Sequence, residues 1–220
     1  MSESSSPAAN ASPRDRKWLV FAIVAVLSLA ADQATKVWAR HALPVIGHGS
    51  NAGVCVVPDD IKDHLCGGQP VSVIDGYWDW RLSMNPGSAF GLFTSIGQAG
   101  ARILLSIVGI AAVFGMLYML RKARSDQKIL HWALALVAGG AVGNLIDRIY
   151  FGVVTDFVLW RYKVHEWPVF NVADVVLVVG VGLMFIDIQK ENKREKALQP
   201  TKEERAAKAK AAGLVKDLSQ

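Results

Sequence analysis

Four long apolar stretches constrain the fold of this 220-residue chain more than any other feature. A membrane-spanning helix needs about 20 mostly apolar residues, and each stretch provides them. Only 20% of the residues are charged and the mean hydropathy is +0.28, which excludes a disordered chain. The stretches run approximately over residues 18–38, 98–120, 129–150 and 169–188. The sequence therefore predicts a mainly α-helical membrane protein with four transmembrane helices.

The distribution of charge predicts the orientation. Lys and Arg cluster before the first stretch, between the second and third, and after the fourth, which assigns these flanks to the cytoplasm. The segment 42–82 is acidic, and the loop 151–168 is balanced. We expect both termini inside. The first stretch also resembles a secretory signal peptide, but Asp32 and Lys36 stand where a small-residue cleavage site belongs, so we expect a retained anchor.

The domain organisation predicted from composition has three parts. Residues 1–17 form a disordered cytoplasmic N-terminus, 18–188 a membrane core, and 189–220 a charged cytoplasmic tail. Within the core, residues of about 42–82 form a small β-sheet platform on the outer face. Strand character at 71–74 and 77–82, with Asp75-Gly76 as a turn between them, supports this platform.

Two cysteines, Cys55 and Cys66, fall in the outer segment. An oxidising compartment makes a disulfide between them possible, and two free thiols are the alternative. His48 and His64 flank the cysteines, but their spacing matches no zinc pattern. We expect no metal site.

Polar residues collect at one membrane depth, near the outer ends of the predicted helices. A charge inside a span is costly, so it faces a partner or a wet cavity. Structural ion pairs are one explanation. The other is a pair of carboxylates that share a proton and act as acid and base. The residues concerned are Asp32, Lys36, Asn85, Asn144, Asp147, Arg148, Asp156, Asn171 and Asp174.

The choice between Asp147 and Asp156 as an acid or base stays open on the sequence. Arg148 beside Asp147 favours an ionised, structural carboxylate, whereas Asp156 has no adjacent cation. Asp174 precedes five apolar residues, which predicts apolar surroundings that favour a protonated carboxyl. Two further classes of protein remain: a small proton-coupled transporter, and a structural membrane subunit whose charges only pair helices.

Five motifs, in this order and spacing, resemble lipoprotein signal peptidases, the bacterial signal peptidase II family. They are Asp32-Gln-Ala-Thr-Lys36, Asn85-Pro-Gly-Ser-Ala-Phe-Gly91, Gly143-Asn-Leu-Ile-Asp-Arg148, Val154-Thr-Asp-Phe157 and Phe170-Asn-Val-Ala-Asp174. The resemblance covers approximately residues 18–188. The stretch 47–70, with both cysteines, departs from it as an insertion.

The resemblance implies an aspartyl intramembrane protease of the bacterial inner membrane. Such enzymes cut signal peptides from diacylglyceryl-modified prolipoproteins just before the lipidated cysteine. It implies Asp156 and Asp174 as catalytic residues, with no cofactor, metal or nucleic acid. We expect a monomer in contact with membrane lipid. Supporting or substrate-binding roles map onto Asn85, Gly87, Asn144, Asp147, Arg148, Asn171, Asp32 and Lys36.

Overall fold

A computed structural model of the chain describes residues 13–45, 67–87 and 97–199. In this part of the chain, four helices are long and apolar enough to cross a membrane, which confirms the four predicted spans. The protein is a multi-pass membrane protein. The helices are α1 (Pro13–Ala42), α2 (Gly97–Lys122), α3 (Lys128–Tyr150) and α4 (Val172–Leu198).

Met1–Met184 and Phe185–Gln220 form two separate compact units. The described part of the second unit is the C-terminal portion of α4 together with Gln199. Most of the predicted N-terminal segment and the tail after residue 199 lie outside the described residues, as do both cysteines.

Helix α3 is the most buried of the four helices, and its glycines bring neighbouring backbones close. A Cβ atom at Gly139 would lie 2.7 Å from the carbonyl oxygen of Ala25 in α1. A Cβ atom at Gly140 would lie 2.7 Å from the carbonyl oxygen of Ala173 in α4. Even an alanine therefore cannot enter either contact without moving a helix. Further along, α1, α2 and α3 share an apolar cluster of Phe21, Val24, Leu120, Leu134, Ala135 and Ala138.

An antiparallel sheet of four strands lies beside the helices, in the order β1-β2-β3-β4. Its strands are β1 (Val71–Ile74), β2 (Trp78–Asn85), β3 (Val154–Tyr162) and β4 (His165–Glu166). The predicted hairpin is confirmed, with Gly76 at a positive φ of 76° in its turn. Strand β2 is longer than predicted and continues from Leu82 to Asn85.

The predicted limits of the platform were too narrow, because the loop 151–168 supplies β3 and β4. The sequence from Val154 to Tyr162 is rich in β-branched and aromatic residues, which is a strand signal that charge balance alone does not reveal.

Apolar contacts join the sheet to the end of α1. Trp38 meets the rings of Trp80 and Phe157 edge-on, with centroids 5.3 and 6.1 Å away. Leu82 and Phe157 are buried against Ala39 and Leu43. Aromatic pairs of this kind fix relative orientation as well as burying area. These contacts therefore fix the position of β2 and β3 beside the C-terminal end of α1, next to the polar residues of the helices.

Candidate active site

Asp156 lies on β3 with only 2% of its surface exposed, and two neutral amides contact its carboxylate. Asn171 donates from Nδ2 to Oδ1 at 2.7 Å, and Asn85 donates from Nδ2 to Oδ2 at 3.0 Å. The β2–β3 register pairs Asn85 with Val154 and Ser83 with Asp156, which brings Asn85 within reach. Asn85 is itself held in a tight turn, because its Oδ1 accepts from the N–H of Gly87 at 2.8 Å.

Asp174 lies in the first turn of α4 and forms a reciprocal cap with Asn171. The N–H of Asp174 donates to Asn171 Oδ1 at 3.0 Å, and the N–H of Asn171 donates to Asp174 Oδ2 at 3.2 Å. This arrangement has the geometry of a capping box, with Asn at the N-cap and Asp three residues on. A negative charge there is favoured by the helix dipole. The predicted apolar surroundings of Asp174 are therefore wrong: its carboxylate lies among polar groups.

Asn144 of α3 completes the connection between the two carboxyl groups. It donates from Nδ2 to Asp174 Oδ1 at 2.9 Å, and its own Oδ1 accepts from Asn171 Nδ2 at 3.1 Å. Asn171 thus contacts Asp156, Asp174 and Asn144 at once. We call Asp156 and Asp174 the amide-linked pair. Within the described residues, no Lys or Arg nitrogen lies within 4.0 Å of either carboxylate in an ion pair.

The pKa of Asp156 is raised from 3.8 to about 7. Burial is the largest cause because it penalises the charged form, and the nearby charge of Asp174 adds to it. Hydrogen bonds from Asn85 and Asn171 work in the opposite direction, since they stabilise the carboxylate. Asp156 therefore exchanges a proton close to neutral pH.

A second set of carboxylates at the same depth is paired with cations. Lys36 Nζ lies 2.9 Å from Asp32 Oδ2 and 3.4 Å from Asp147 Oδ2, and all three side chains are fully buried. Lys36 also donates to Asn144 Oδ1 at 2.8 Å. Arg40 adds a longer contact of 3.9 Å to Asp147 Oδ1. We call Asp32 and Asp147 the cation-paired carboxylates.

The cation-paired carboxylates hold the backbone beside the amide-linked pair. Asp147 Oδ2 accepts from the N–H of Thr155 at 2.9 Å, one residue before Asp156. Asp32 Oδ1 accepts from the N–H of Ala173 at 2.9 Å, one residue before Asp174. Gly143 is required here, because a Cβ atom at this position would collide with Asp32.

The assignment of Arg148 as the cation of Asp147 needs correction. The guanidinium interacts most strongly with the charge of Asp174, then Asp156, and only then Asp147. Its Nη1 donates to the carbonyl oxygen of Asn144 at 3.3 Å. Arg148 therefore supplies positive potential to the amide-linked pair from beyond direct contact.

Sequence reasoning missed two residues of this network, Gln33 and Arg40. Gln33 donates to Asp32 Oδ2 and to the carbonyl oxygen of Gly143, at 3.1 Å each. Arg40 donates to the hydroxyl of Thr155 at 2.7 Å and lies over the Phe151 ring. Asp32, Lys36 and Arg40 are spaced four residues apart, so a single charged helix face was readable from the sequence.

All the predicted polar site residues that the structure describes converge on this end of the fold, and only the cysteines fall outside the described chain. Among the described residues, no group of three or more His, Cys, Asp or Glu side chains is arranged to hold a metal ion. The chemistry available from the site is proton transfer between carboxyl groups, with amide donors around them.

Comparisons with known proteins agree with one another. The family model for signal peptidase II matches residues 24–190. A lipoprotein signal peptidase of Anaeromyxobacter sp. (strain Fw109-5) is 35% identical over 77% of this chain and 84% of its own length. One of Geobacter metallireducens is 32% identical over 80% of this chain and 94% of its own.

Two solved structures of bacterial membrane enzymes, obtained by the in meso method, share the fold. The first has a TM-score of 0.57 at 22% identity and covers 85% of this chain and 95% of the other. The second has a TM-score of 0.54 at 23% identity and covers 79% and 92%.

Proposed function

The chain belongs to the signal peptidase II family, and we propose that it cleaves by an aspartic mechanism with Asp156 and Asp174 as the catalytic residues. Removal of signal peptides from prolipoproteins is the activity that the family match and the relatives support. We further propose that the substrate carries a diacylglyceryl group and is cut before the lipidated cysteine. The comparisons give no support to the transporter alternative.

The observation that carries the catalytic assignment is the hydrogen-bonded connection of two carboxylates through Asn171. Two carboxyl groups that share a site do not both ionise easily, so the pair holds one proton near neutral pH. The raised pKa of Asp156 favours this residue as the protonated member. We assign Asp174, which is partly exposed and lies at a helix N-terminus, as the member that takes the proton from water.

The mechanism follows from these protonation states. Asp174 takes a proton from a water molecule as the water oxygen bonds to the scissile carbonyl carbon, and Asp156 gives its proton to the carbonyl oxygen. The resulting tetrahedral diol collapses when the carbon–nitrogen bond breaks. Asp174 then protonates the leaving nitrogen, and Asp156 recovers a proton from a diol hydroxyl. The pair returns to its starting state.

The surrounding residues have supporting roles in this proposal. Asn85 and Asn171 keep the carboxyl plane of Asp156 fixed through their amide donors. Arg148 adds positive potential that offsets negative charge developing on the substrate oxygen. Gly87, at a φ of 93°, lets the chain turn beside the site, which a side chain would strain.

We propose that the protein lies in the bacterial inner membrane as a monomer, with both termini in the cytoplasm. Arg16 and Lys17 lie near the start of α1, and Asp32 is about 24 Å beyond Arg16 along the helix axis. The positive-inside tendency then puts the site near the outer face. A lipidated substrate reaches this depth sideways, with its acyl chains still in the bilayer.

The test is cleavage of a diacylglyceryl-modified prolipoprotein by purified protein in detergent. We expect Asp156→Asn and Asp174→Asn to lose about 10³-fold or more in kcat, because each removes an acid or base. Asp79→Asn is the matched control, since Asp79 is a buried carboxylate on β2 that pairs with Arg161 instead. Its kcat should stay within about threefold of the wild type.

Two outcomes would contradict the proposal. If folded Asp156→Asn or Asp174→Asn still processes the substrate at the wild-type rate, the aspartic pair is wrong. If the wild type does not cleave a lipidated prolipoprotein at all, the proposed substrate is wrong.

A further inference from the structure

A cavity of about 420 Å³ lies at the end of α3 that is opposite the amide-linked pair. Lys128 and Asn144 are 16 positions apart on α3, or about 24 Å along its axis. The catalytic proposal therefore makes no use of this cavity. Its lining comes from α1, α3 and the connection between α2 and α3: Arg16, Lys17, Val20, Ser125, Lys128, His131 and Trp132.

The cavity is strongly basic. Arg16, Lys17 and Lys128 contribute three cations, and no described lining residue is a carboxylate. Helix α3 begins at Lys128 without an acidic residue in its first turn, so the positive end of its dipole faces the same region. An anion is therefore the ligand that this cavity suits.

Lys17 is a fixed part of the wall. Its ammonium group donates to the carbonyl oxygens of Ala123 at 2.7 Å and Arg121 at 3.3 Å, at the C-terminal end of α2. An ammonium group has three N–H donors, and these carbonyls account for two of them. The charge is thus held in place by the fold before any ligand arrives, which lowers the ordering cost of binding.

Aromatic side chains place the cavity at the level of lipid headgroups. Trp18 on α1, Tyr118 on α2 and Trp132 on α3 all lie near the basic ends of their helices and are exposed by 38%, 64% and 51%. Trp and Tyr concentrate at membrane–water interfaces, where an apolar ring and a polar edge are both satisfied. Trp132 also lines the cavity, so the aromatic layer and the basic cavity share one depth.

We propose that this cavity binds the phosphate headgroup of an anionic phospholipid. Basic pockets between transmembrane helices on the cytoplasmic side suit such headgroups. The volume lies within the range of ligand sites, about 300–1,000 Å³. The basic n-region of a signal peptide is a poor alternative occupant, because its charge has the same sign as the cavity. In the orientation proposed above, the lipid belongs to the cytoplasmic leaflet.

The test measures retention of phosphatidylglycerol and of phosphatidylcholine by the purified full chain, with native mass spectrometry in detergent. The wild type should bind phosphatidylglycerol about tenfold or more tightly. The variant Arg16→Gln/Lys128→Gln should bind it about 30-fold more weakly, because each basic residue near a lipid surface contributes about a fivefold factor. The matched control is Lys190→Gln/Lys193→Gln, which changes net charge equally at exposed tail positions and should shift affinity less than twofold.

Cleavage activity in detergent reports whether the cavity variant is folded, and it should stay near the wild-type rate because the cavity is remote from the site. An equal loss of lipid in both double variants would mean diffuse surface attraction and would overturn the proposal. Equal affinity for the two lipids would overturn it as well. The last measurement adds inorganic phosphate as a competitor of bound phosphatidylglycerol. If phosphate displaces the lipid as effectively as free phosphatidylglycerol does, the ligand is free phosphate and the proposed lipid is wrong.

Discussion

Two pairs of carboxylates lie at one depth in this protein, and they differ in what surrounds them. The cation-paired carboxylates, Asp32 and Asp147, share Lys36 within 3.4 Å. The amide-linked pair, Asp156 and Asp174, accepts hydrogen bonds from asparagine side chains and from the backbone N–H of Asn171. A neighbouring cation favours the charged form of a buried carboxylate. Burial beside a second carboxylate instead favours retention of a proton, against the opposing effect of neutral hydrogen-bond donors.

The different surroundings of the four aspartates indicate that the two pairs have different roles. Asp147 and Asp32 each bind the backbone N–H just before a member of the amide-linked pair, at Thr155 and Ala173. Lys36 joins these two anchors, which lie on different elements. The cation-paired carboxylates therefore fix the backbone beside the amide-linked pair, which we propose exchanges protons.

The largest expected effect on stability comes from removing the shared cation. Lys36→Met leaves Asp32 and Asp147 buried without their main partner, and we expect the free energy of unfolding to fall by about 3–5 kcal/mol. Unfolding in detergent, followed by circular dichroism, measures this. Lys190→Met, on the exposed part of α4, is the control and should change stability by less than about 0.5 kcal/mol. If Lys36→Met lowered the free energy of unfolding by less than about 1 kcal/mol, Lys36 would not be the main partner of the cation-paired carboxylates.

Asn171 allows its capping role to be separated from its contact with Asp156. Asn171→Ser keeps a good N-cap for α4 but removes the amide that reaches Asp156. Asp156 becomes charged as it gives up its proton, and a hydrogen bond to a charged group contributes about 1.5–3 kcal/mol. We therefore expect kcat to fall about 10- to 100-fold. The unfolding free energy should change by under about 1 kcal/mol.

Asn171→Ala is the companion variant, because it loses both the cap and the amide. We expect it to match Asn171→Ser in kcat while losing about 1 kcal/mol more in stability. Equal kcat for Asn171→Ser and the wild type would show that the amide does not serve the amide-linked pair.

The pH dependence of cleavage should report the proton on Asp156. With the pKa of Asp156 raised to about 7, kcat/KM should fall by about tenfold per unit at higher pH, because the acid is lost. Asn85→Ala removes a donor that stabilises the carboxylate, so the pKa of Asp156 rises further and the fall begins at higher pH. A pH profile that Asn85→Ala leaves unmoved would contradict the assignment of Asp156 as the acid.

The same pKa shift predicts how stability varies with pH. Folded Asp156 holds its proton up to about pH 7, whereas the unfolded residue loses it near its ordinary pKa of 3.8. The contribution of the Asp156 proton to the free energy of unfolding is therefore complete below pH 3.8, and it is lost as the pH rises to about 7. The free energy of unfolding of the wild type should therefore be lower at pH 8 than at pH 5, and this difference should be smaller in Asp156→Asn.

An exposed ion pair on the sheet provides the smallest expected effect. Arg81 and Glu166 lie 3.4 Å apart, but their side chains are 41% and 49% exposed. Exposed pairs contribute about 0–1 kcal/mol because water screens them. Arg81→Ala should therefore change the unfolding free energy by under about 1 kcal/mol. If Arg81→Ala lowered the free energy of unfolding as much as Lys36→Met, burial would not explain why the Lys36 ion pairs contribute more than the exposed Arg81–Glu166 pair.

The sequence predicted the helices well because their signal is local. Length and hydropathy define the four spans, and the Asp32–Lys36 pair follows from helical spacing alone. The hairpin was also readable, since Asp75-Gly76 between two β-prone segments is a local turn signal. These features depend on residues close together in the chain.

The partners of the carboxylates were less predictable because they come from distant segments. Asp147 is adjacent to Arg148 in the sequence, yet its close cations are Lys36 and Arg40 of α1. Asp156 lies on β3, where it is paired with Ser83 of β2, a residue 73 positions earlier in the chain (156 − 83). Nearest neighbours in a helix point to different sides, so adjacency in sequence is a poor guide to ion pairing.

The central claim is tested most directly by the single-turnover cleavage rate per folded molecule of Asp147→Asn and Asp156→Asn, measured side by side. We expect that the folded fraction of Asp147→Asn is small but still cleaves, whereas Asp156→Asn folds in normal amounts and does not cleave. The reverse result, with an inactive Asp147→Asn that folds normally and an active Asp156→Asn, would contradict it.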